Sequence, residues 1–200
     1  MASGKTNVAV IGAGFIGRAW AVAFARADMN VAIWSRSEAT SQKAIAFLAQ
    51  VLPSLEEEGL LGELSSQEIL ANARIETRLE AALEGAEYVQ ENAPEDLQSK
   101  CEVFSLLDSL ADEHAVIASS TSALLPSDFT RHLPGRARCL VAHPINPPYL
   151  IPAAEVVPAP WTSPGIVDRA CAILRAAGQK PLVMDKELDG FIVNRLQGAV

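Results

Sequence analysis

Three stretches of this 200-residue chain hold residue types that could do chemistry. The first is Gly12-Ala13-Gly14-Phe15-Ile16-Gly17, a G-x-G-x-x-G run that follows the apolar stretch Val8–Ile11 and opens a helical pattern. The first glycine permits a tight turn, the second lets the backbone approach a pyrophosphate, and the third allows close helix–strand contact. The N–H groups and positive dipole end of the following helix suit phosphate. In this strand–turn–helix context the run predicts dinucleotide binding. The second stretch closes the next apolar run. Ser35 stands where an acid normally grips the ribose 2′-hydroxyl of NAD, and Arg36 follows it. A hydroxyl and a guanidinium there favour NADP over NAD. The third stretch holds His143, before Pro144 at a strand end, and Glu155, flanked by Ala153, Ala154, Val156 and Val157. A carboxylate on one imidazole nitrogen fixes the tautomer that acid–base work requires. Taken alone, a histidine beside proline serves structure as readily as catalysis. Ser122 and Asn146 are polar residues at two such strand ends, and either taken alone reads better as a helix or turn cap.

These groups need a scaffold, and hydrophobic periodicity supplies one. Val8–Ile11 and Val31–Trp34 read as strands around a helix over Phe15–Ala27, a βαβ unit. Helices are expected over Ser41–Gln50 and within an acidic excursion, Ser54–Leu70. Thr77, Leu79 and an Ala81–Leu83 turn lead to a strand at Tyr88–Val89. Leu97–Leu110 reads as a helix with Val103, Leu106, Leu107 and Leu110 on one stripe. Ala115–Ala118, Cys139–Ala142, Val156–Val157 and Pro181–Met184 read as further strands, with a helix over Pro164–Ala177. Continuous apolar strands alternating with helices predict an α/β fold of Rossmann type, doubly wound, with a mainly parallel sheet covered on both faces. Residues 1–189 form the dinucleotide-binding domain. Residues 190–200 begin a helix with nothing to pack on, the start of a helical C-terminal domain whose remainder is absent.

Composition sets limits on partners. A net charge of −8 argues against nucleic acid and anionic membrane. Cys101, Cys139 and Cys171 form no C-x-x-C pair and read as buried core thiols of a reducing cytoplasm. No metal site, signal peptide or membrane span is expected.

The chain resembles the 3-hydroxyacyl-CoA dehydrogenase superfamily over nearly its whole length. The resemblance rests on VAVIGAGFIGRAWA (8–21), VQENAPEDLQSK (89–100), SSTSALLPS (119–127), AHPINPPYLIPAAEVVP (142–158) and DGFIVNRLQ (189–197). The third and fourth are most similar to the lambda-crystallin branch, the L-gulonate 3-dehydrogenases. The resemblance implies that His143 is the acid or base at a substrate hydroxyl and that Glu155 orients it. It further implies that Ser122 and Asn194 hydrogen-bond the reacting oxygen, that Asn146 lies near the nicotinamide, and that Glu95 and Lys100 contact the cofactor. With a complete C-terminal domain it implies a homodimer.

Acyl-CoA phosphates need cations, yet residues 44–73 hold no lysine or arginine and include Glu56, Glu57, Glu58, Glu63 and Glu68. Like-charge repulsion there favours a small 3-hydroxy acid such as L-gulonate. A 3-hydroxyacyl-CoA substrate, or a non-catalytic nucleotide-binding domain lacking its C-terminal partner, remain the alternatives.

Overall fold

The computed structural model describes residues 4–199, so Val200 of the expected final helix lies outside the described residues. The strands are β1 Asn7–Ile11, β2 Asn30–Trp34, β3 Ala73–Ile75, β4 Tyr88–Glu91, β5 Val116–Ser119, β6 Cys139–Pro144, β7 Ala153–Pro158 and β8 Lys180–Val183. The helices are α1 Phe15–Arg26, α2 Glu38–Glu57, α3 Ser66–Ala71, α4 Leu79–Leu83, α5 Leu97–Leu110, α6 Pro126–Thr130, α7 Pro164–Ala176 and α8 Val193–Gln197. All strands join one sheet in the order β3-β2-β1-β4-β5-β6-β7-β8. The first six are mutually parallel in the doubly wound order, so ligand space opens at the carboxyl ends of β1 and β4, whose following helices α1 and α5 lie on opposite faces of the sheet.

Burial explains the strands. Every residue of β4 and β5, and Val8–Ile11 of β1, is buried, because helices cover both faces of the sheet. One apolar cluster joins α1, α2 and α7 to the sheet through Trp20, Phe24, Leu48, Leu52 and Leu174. The other joins α4, α5 and α6 through Leu83, Phe104, Leu107 and Phe129. Among the described residues no helix is long and apolar enough to cross a membrane.

The structure corrects several local expectations. The Ala81–Leu83 turn is part of helix α4. α2 runs through Pro53, where one face buries Leu48, Leu52 and Leu55, which outweighs the single backbone hydrogen bond that proline forgoes. On α5 the stripe is narrower than expected: Val103 and Leu107 are buried with Phe104, whereas Leu106 and Leu110 are exposed. Cys101 is only half-buried, while Cys139 and Cys171 are buried. β7 runs antiparallel to β6 and β8 follows β7, so the sheet's last two strands reverse direction. That reversal places Glu155 opposite His143 in the ladder.

The core also holds a charged pair at the end of β4. Lys100 and Glu91 are both fully buried, with Nζ donating at 2.9 Å to each carboxylate oxygen and at 3.0 Å to the Ala93 carbonyl. Ser119 and the Ala93 N–H donate to the same carboxylate. Burial pushes the Glu91 carboxyl up, and these donors pull it back. The Lys100→Met variant strands a buried carboxylate, and urea unfolding should show a loss of about 3–5 kcal/mol. The double variant Glu91→Leu/Lys100→Met should recover most of it.

Candidate active site

Two adjoining cavities lie at the carboxyl ends of the strands, and both have Asn92 and Ala93 in their walls. One, of about 330 Å³, is lined by Gly12, Ala13, Gly14, Trp34, Ser35 and Arg36 among others. The other, of about 310 Å³, is lined by Ile16, Glu95, Ser122, His143, Pro144 and Asn146 among others. Asn92 holds its place between them by donating to the Gln90 and Ile11 carbonyls and accepting from Ser120 Oγ at 2.7 Å.

The glycine turn fits a dinucleotide. Gly12 has φ +91°, and a Cβ there would stand 2.7 Å from the Asn92 carbonyl oxygen. A Cβ on Gly17 would stand 1.8 Å from the Gly12 oxygen, so α1 lies against the turn in a way only glycine allows. Nothing lies within 4 Å of a Cβ built on Gly14, which leaves open space beside the uncapped N-terminus of α1. Phe15, next in the turn, is exposed, and Ile16 faces the cavity of His143. At the other end Ser35 accepts from the Ser37 N–H, and Arg36 is exposed with no hydrogen bond or ion pair among the described residues.

Around His143 the polar groups are tightly assigned. Nδ1 lies 2.7 Å from Glu155 Oε2, and Glu155 is fully buried. The other carboxylate oxygen accepts from the N–H groups of Ile192 and Val193 at 2.6 and 3.0 Å. The chain reaches this point through Gly190 and Phe191, both left-handed, a conformation rare for phenylalanine. The turn buries the Phe191 ring 5.8 Å from the imidazole, centre to centre. Among the described residues Nε2 of His143 has no partner.

The remaining expected residues fall into place differently. Ser122 lines the cavity, and Asn194 Nδ2 donates to its carbonyl at 2.7 Å. The segment from Gly190 to Asn194 thus reaches the site, whereas residues 195–199 are exposed and α8 itself buries no residue. Glu95 lines the cavity too, but its Oε1 accepts from Thr121 Oγ1 and from the N–H groups of Ser122 and Ala123, so it holds that loop. Asn146 is exposed in the cavity wall. Lys100, expected at the cofactor, is instead enclosed with Glu91. It supports the β4 carboxyl end from beneath.

Sequence reasoning passed over the polar relay under the site. Tyr88 donates to Gln90 Oε1, Gln90 Nε2 donates to Ser120 Oγ at 2.7 Å, and Trp20 Nε1 donates to the same oxygen at 3.0 Å. Ser120 Oγ in turn donates to Asn92 Oδ1. The available signal was a glutamine and a glutamate within an otherwise apolar strand: such groups must be satisfied when buried.

Comparison with known proteins agrees with this picture. Residues 7–188 match the model of the 3-hydroxyacyl-CoA dehydrogenase, NAD binding domain. A lambda-crystallin homolog of Bos taurus is 44% identical over 199 residues, 99% of this chain and 62% of that protein. An L-carnitine dehydrogenase of Burkholderia mallei is 38% identical over 192 residues, 96% of this chain and 59% of that protein. Among solved structures, a diketoreductase aligns with TM-score 0.91 at 26% identity, covering 98% of this chain and 70% of its own. A 3-hydroxybutyryl-CoA dehydrogenase of Escherichia coli aligns with TM-score 0.90 at 25% identity, covering 97% and 41%. The chain thus spans about three fifths of the length of the lambda-crystallin and carnitine dehydrogenase relatives.

Gly14→Ala separates folding from binding. Its Cβ enters open space, so the thermal midpoint should stay within a degree or two, whereas NADH affinity by fluorescence titration should fall about tenfold or more as the methyl occupies the phosphate approach.

Proposed function

The chain belongs to the 3-hydroxyacyl-CoA dehydrogenase family, and from that premise we propose that it oxidises and reduces the 3-hydroxyl of a small hydroxy acid resembling L-gulonate. The observation that carries this reading is the 2.7 Å contact between His143 Nδ1 and the buried Glu155, beside a cavity that shares Asn92 and Ala93 with the one at the glycine turn. A bound nicotinamide dinucleotide would supply the hydride acceptor or donor. Gly14 and the N-terminus of α1 would hold its phosphates, with Gly12 and Gly17 keeping the turn tight and Phe15 and Ile16 beside it, and Asn146 would stand near its nicotinamide end. Arg36 is free to pair with a 2′-phosphate and Ser35 brings no repelling charge, which supports NADP over NAD.

Glu155 keeps the proton of His143 on Nδ1, so Nε2 takes the hydroxyl proton during oxidation and returns it during reduction. Imidazolium forms beside a carboxylate that no water reaches, which stabilises it. The second amide hydrogen of Asn194 and the Ser122 hydroxyl, which donates to Glu95 Oε1 at 3.3 Å and would have to turn from it, are the donors assigned to the reacting oxygen. Glu95 sets the position of the Ser122 loop.

The acidic excursion supports a small acid over an acyl-CoA. Glu56, Glu57, Glu58, Glu63 and Glu68 are all exposed. Hydrogen bonds from Ser65 hold the Glu68 carboxyl below the usual carboxylate range, so it stays charged. A cytoplasmic location and a homodimer, once a C-terminal helical domain is present, belong to the same proposal.

Fluorescence titration with NADPH and NADH, followed by L-gulonate oxidation, tests it. Binding should be tighter for NADPH, and L-gulonate should turn over faster than a 3-hydroxyacyl-CoA. His143→Asn should lower kcat by about 10²–10⁴-fold while leaving cofactor affinity unchanged. Equal rates in the variant, or faster turnover of the thioester, would contradict the reading.

A further inference from the structure

Ser120 stands in the wall of the His143 cavity, yet its hydroxyl is closed to any ligand. Its Oγ accepts from Gln90 Nε2 at 2.7 Å and from Trp20 Nε1 at 3.0 Å, and donates to Asn92 Oδ1 at 2.7 Å. These directions are forced. An indole N–H can only donate. Gln90 also reaches the Ala142 carbonyl, and Asn92 reaches the carbonyls of Ile11 and Gln90, so in both amides the nitrogen faces those oxygens. With both lone pairs taken, the one hydroxyl hydrogen of Ser120 goes to Asn92.

What this bond joins gives it a use beyond satisfying polar groups. The parallel ladder between β4 and β5 ends at the pair Glu91 and Ser119. One residue farther on, the Ser120–Asn92 bond ties the two strand ends together by side chains. On one side of it, Asn92 supports the glycine turn. Its N–H donates to the Ile11 carbonyl at 2.7 Å, and its own carbonyl lies where a Cβ on Gly12 would stand 2.7 Å away. On the other side, Ser120 leads into Thr121 and Ser122, the loop that Glu95 holds. Hydride transfer depends steeply on how these two sides are spaced: a misplacement of about 1 Å can cost about a hundredfold in rate.

We propose that Ser120 is a positioning residue for hydride transfer, acting through Asn92 to fix the distance between a dinucleotide seated on the glycine turn and the substrate hydroxyl beside Ser122 and His143. The inference rests on the dehydrogenase reading above and is independent of which hydroxy compound is the substrate.

The test compares the wild type with three variants: Ser120→Ala, Ser120→Thr, which keeps the hydroxyl, and Trp20→Phe, which removes a donor to the same oxygen but leaves the bond to Asn92. In the ligand-free proteins the side-chain amide of Asn92, assigned by NMR from the Asn92→Leu spectrum, should exchange its hydrogens about tenfold faster in Ser120→Ala than in the other three. The substrate is whichever of L-gulonate and 3-hydroxybutyryl-CoA the wild type oxidises. With it, Ser120→Ala should lower kcat about thirtyfold, while KM and affinity for the tighter-binding of NADH and NADPH change less than about threefold. The primary isotope effect on kcat, with deuterium on the hydroxyl-bearing carbon, should rise as hydride transfer becomes the slow step. Ser120→Thr should recover most of the rate. Trp20→Phe should lose at least as much thermal stability as Ser120→Ala, yet keep kcat within about threefold of the wild type. A kcat loss that follows thermal stability across the variants would overturn the inference in favour of a packing role. Parallel loss of cofactor affinity in Ser120→Ala would overturn it in favour of a cofactor contact, and unchanged amide exchange would remove the bond as the cause. Wild type that binds cofactor yet oxidises neither compound refutes the dehydrogenase reading itself, an outcome distinct from these.

Discussion

A carboxylate that is fully enclosed must have both oxygens satisfied, and in this protein that requirement is met by Glu155. One oxygen takes the imidazole of His143 and the other takes two backbone N–H groups at the start of the last helix. The first bond requires β7 to lie antiparallel beside β6 in the register that pairs residues 143 and 155. The second requires the left-handed turn at Gly190 and Phe191, which also sets the Phe191 ring near the imidazole. Sheet order, chain reversal and the terminal helix therefore converge on a single charge.

A second buried charge does comparable work a short distance away. Lys100 and Glu91 fix the carboxyl end of β4, and from there Asn92 and Ala93 form the partition shared by the two cavities. The relay through Gln90, Ser120 and Trp20 ties that partition to α1. Cofactor space and substrate space are thus joined through one satisfied polar network, whose members have few ways to rearrange.

Much of this was legible in the residues. The strand–glycine turn–helix–strand unit follows from local pattern, because β1 and β2 are apolar and Gly12 and Gly17 occupy positions where a Cβ collides. α5 was read with its observed bounds for the same reason. What escaped depends on distant partners. β3 is three residues long and only half-buried, so no periodicity reveals it. The direction of β7 is set by the loop that precedes it, not by the alternation of its side chains. Lys100 reads as a surface or ligand-binding cation until Glu91 is seen beneath it.

The central claim is that Glu155 locks His143 with its proton on Nδ1, leaving Nε2 to exchange a proton with substrate. Nitrogen-15 NMR of the imidazoles measures this directly, and with three histidines in the chain the His143→Asn spectrum assigns the signal. The account predicts that neutral His143 shows a protonated Nδ1 and an unprotonated Nε2, and that Glu155→Gln shifts the balance toward the other tautomer. A neutral His143 carrying its proton on Nε2, or a spectrum unmoved by Glu155→Gln, would contradict it.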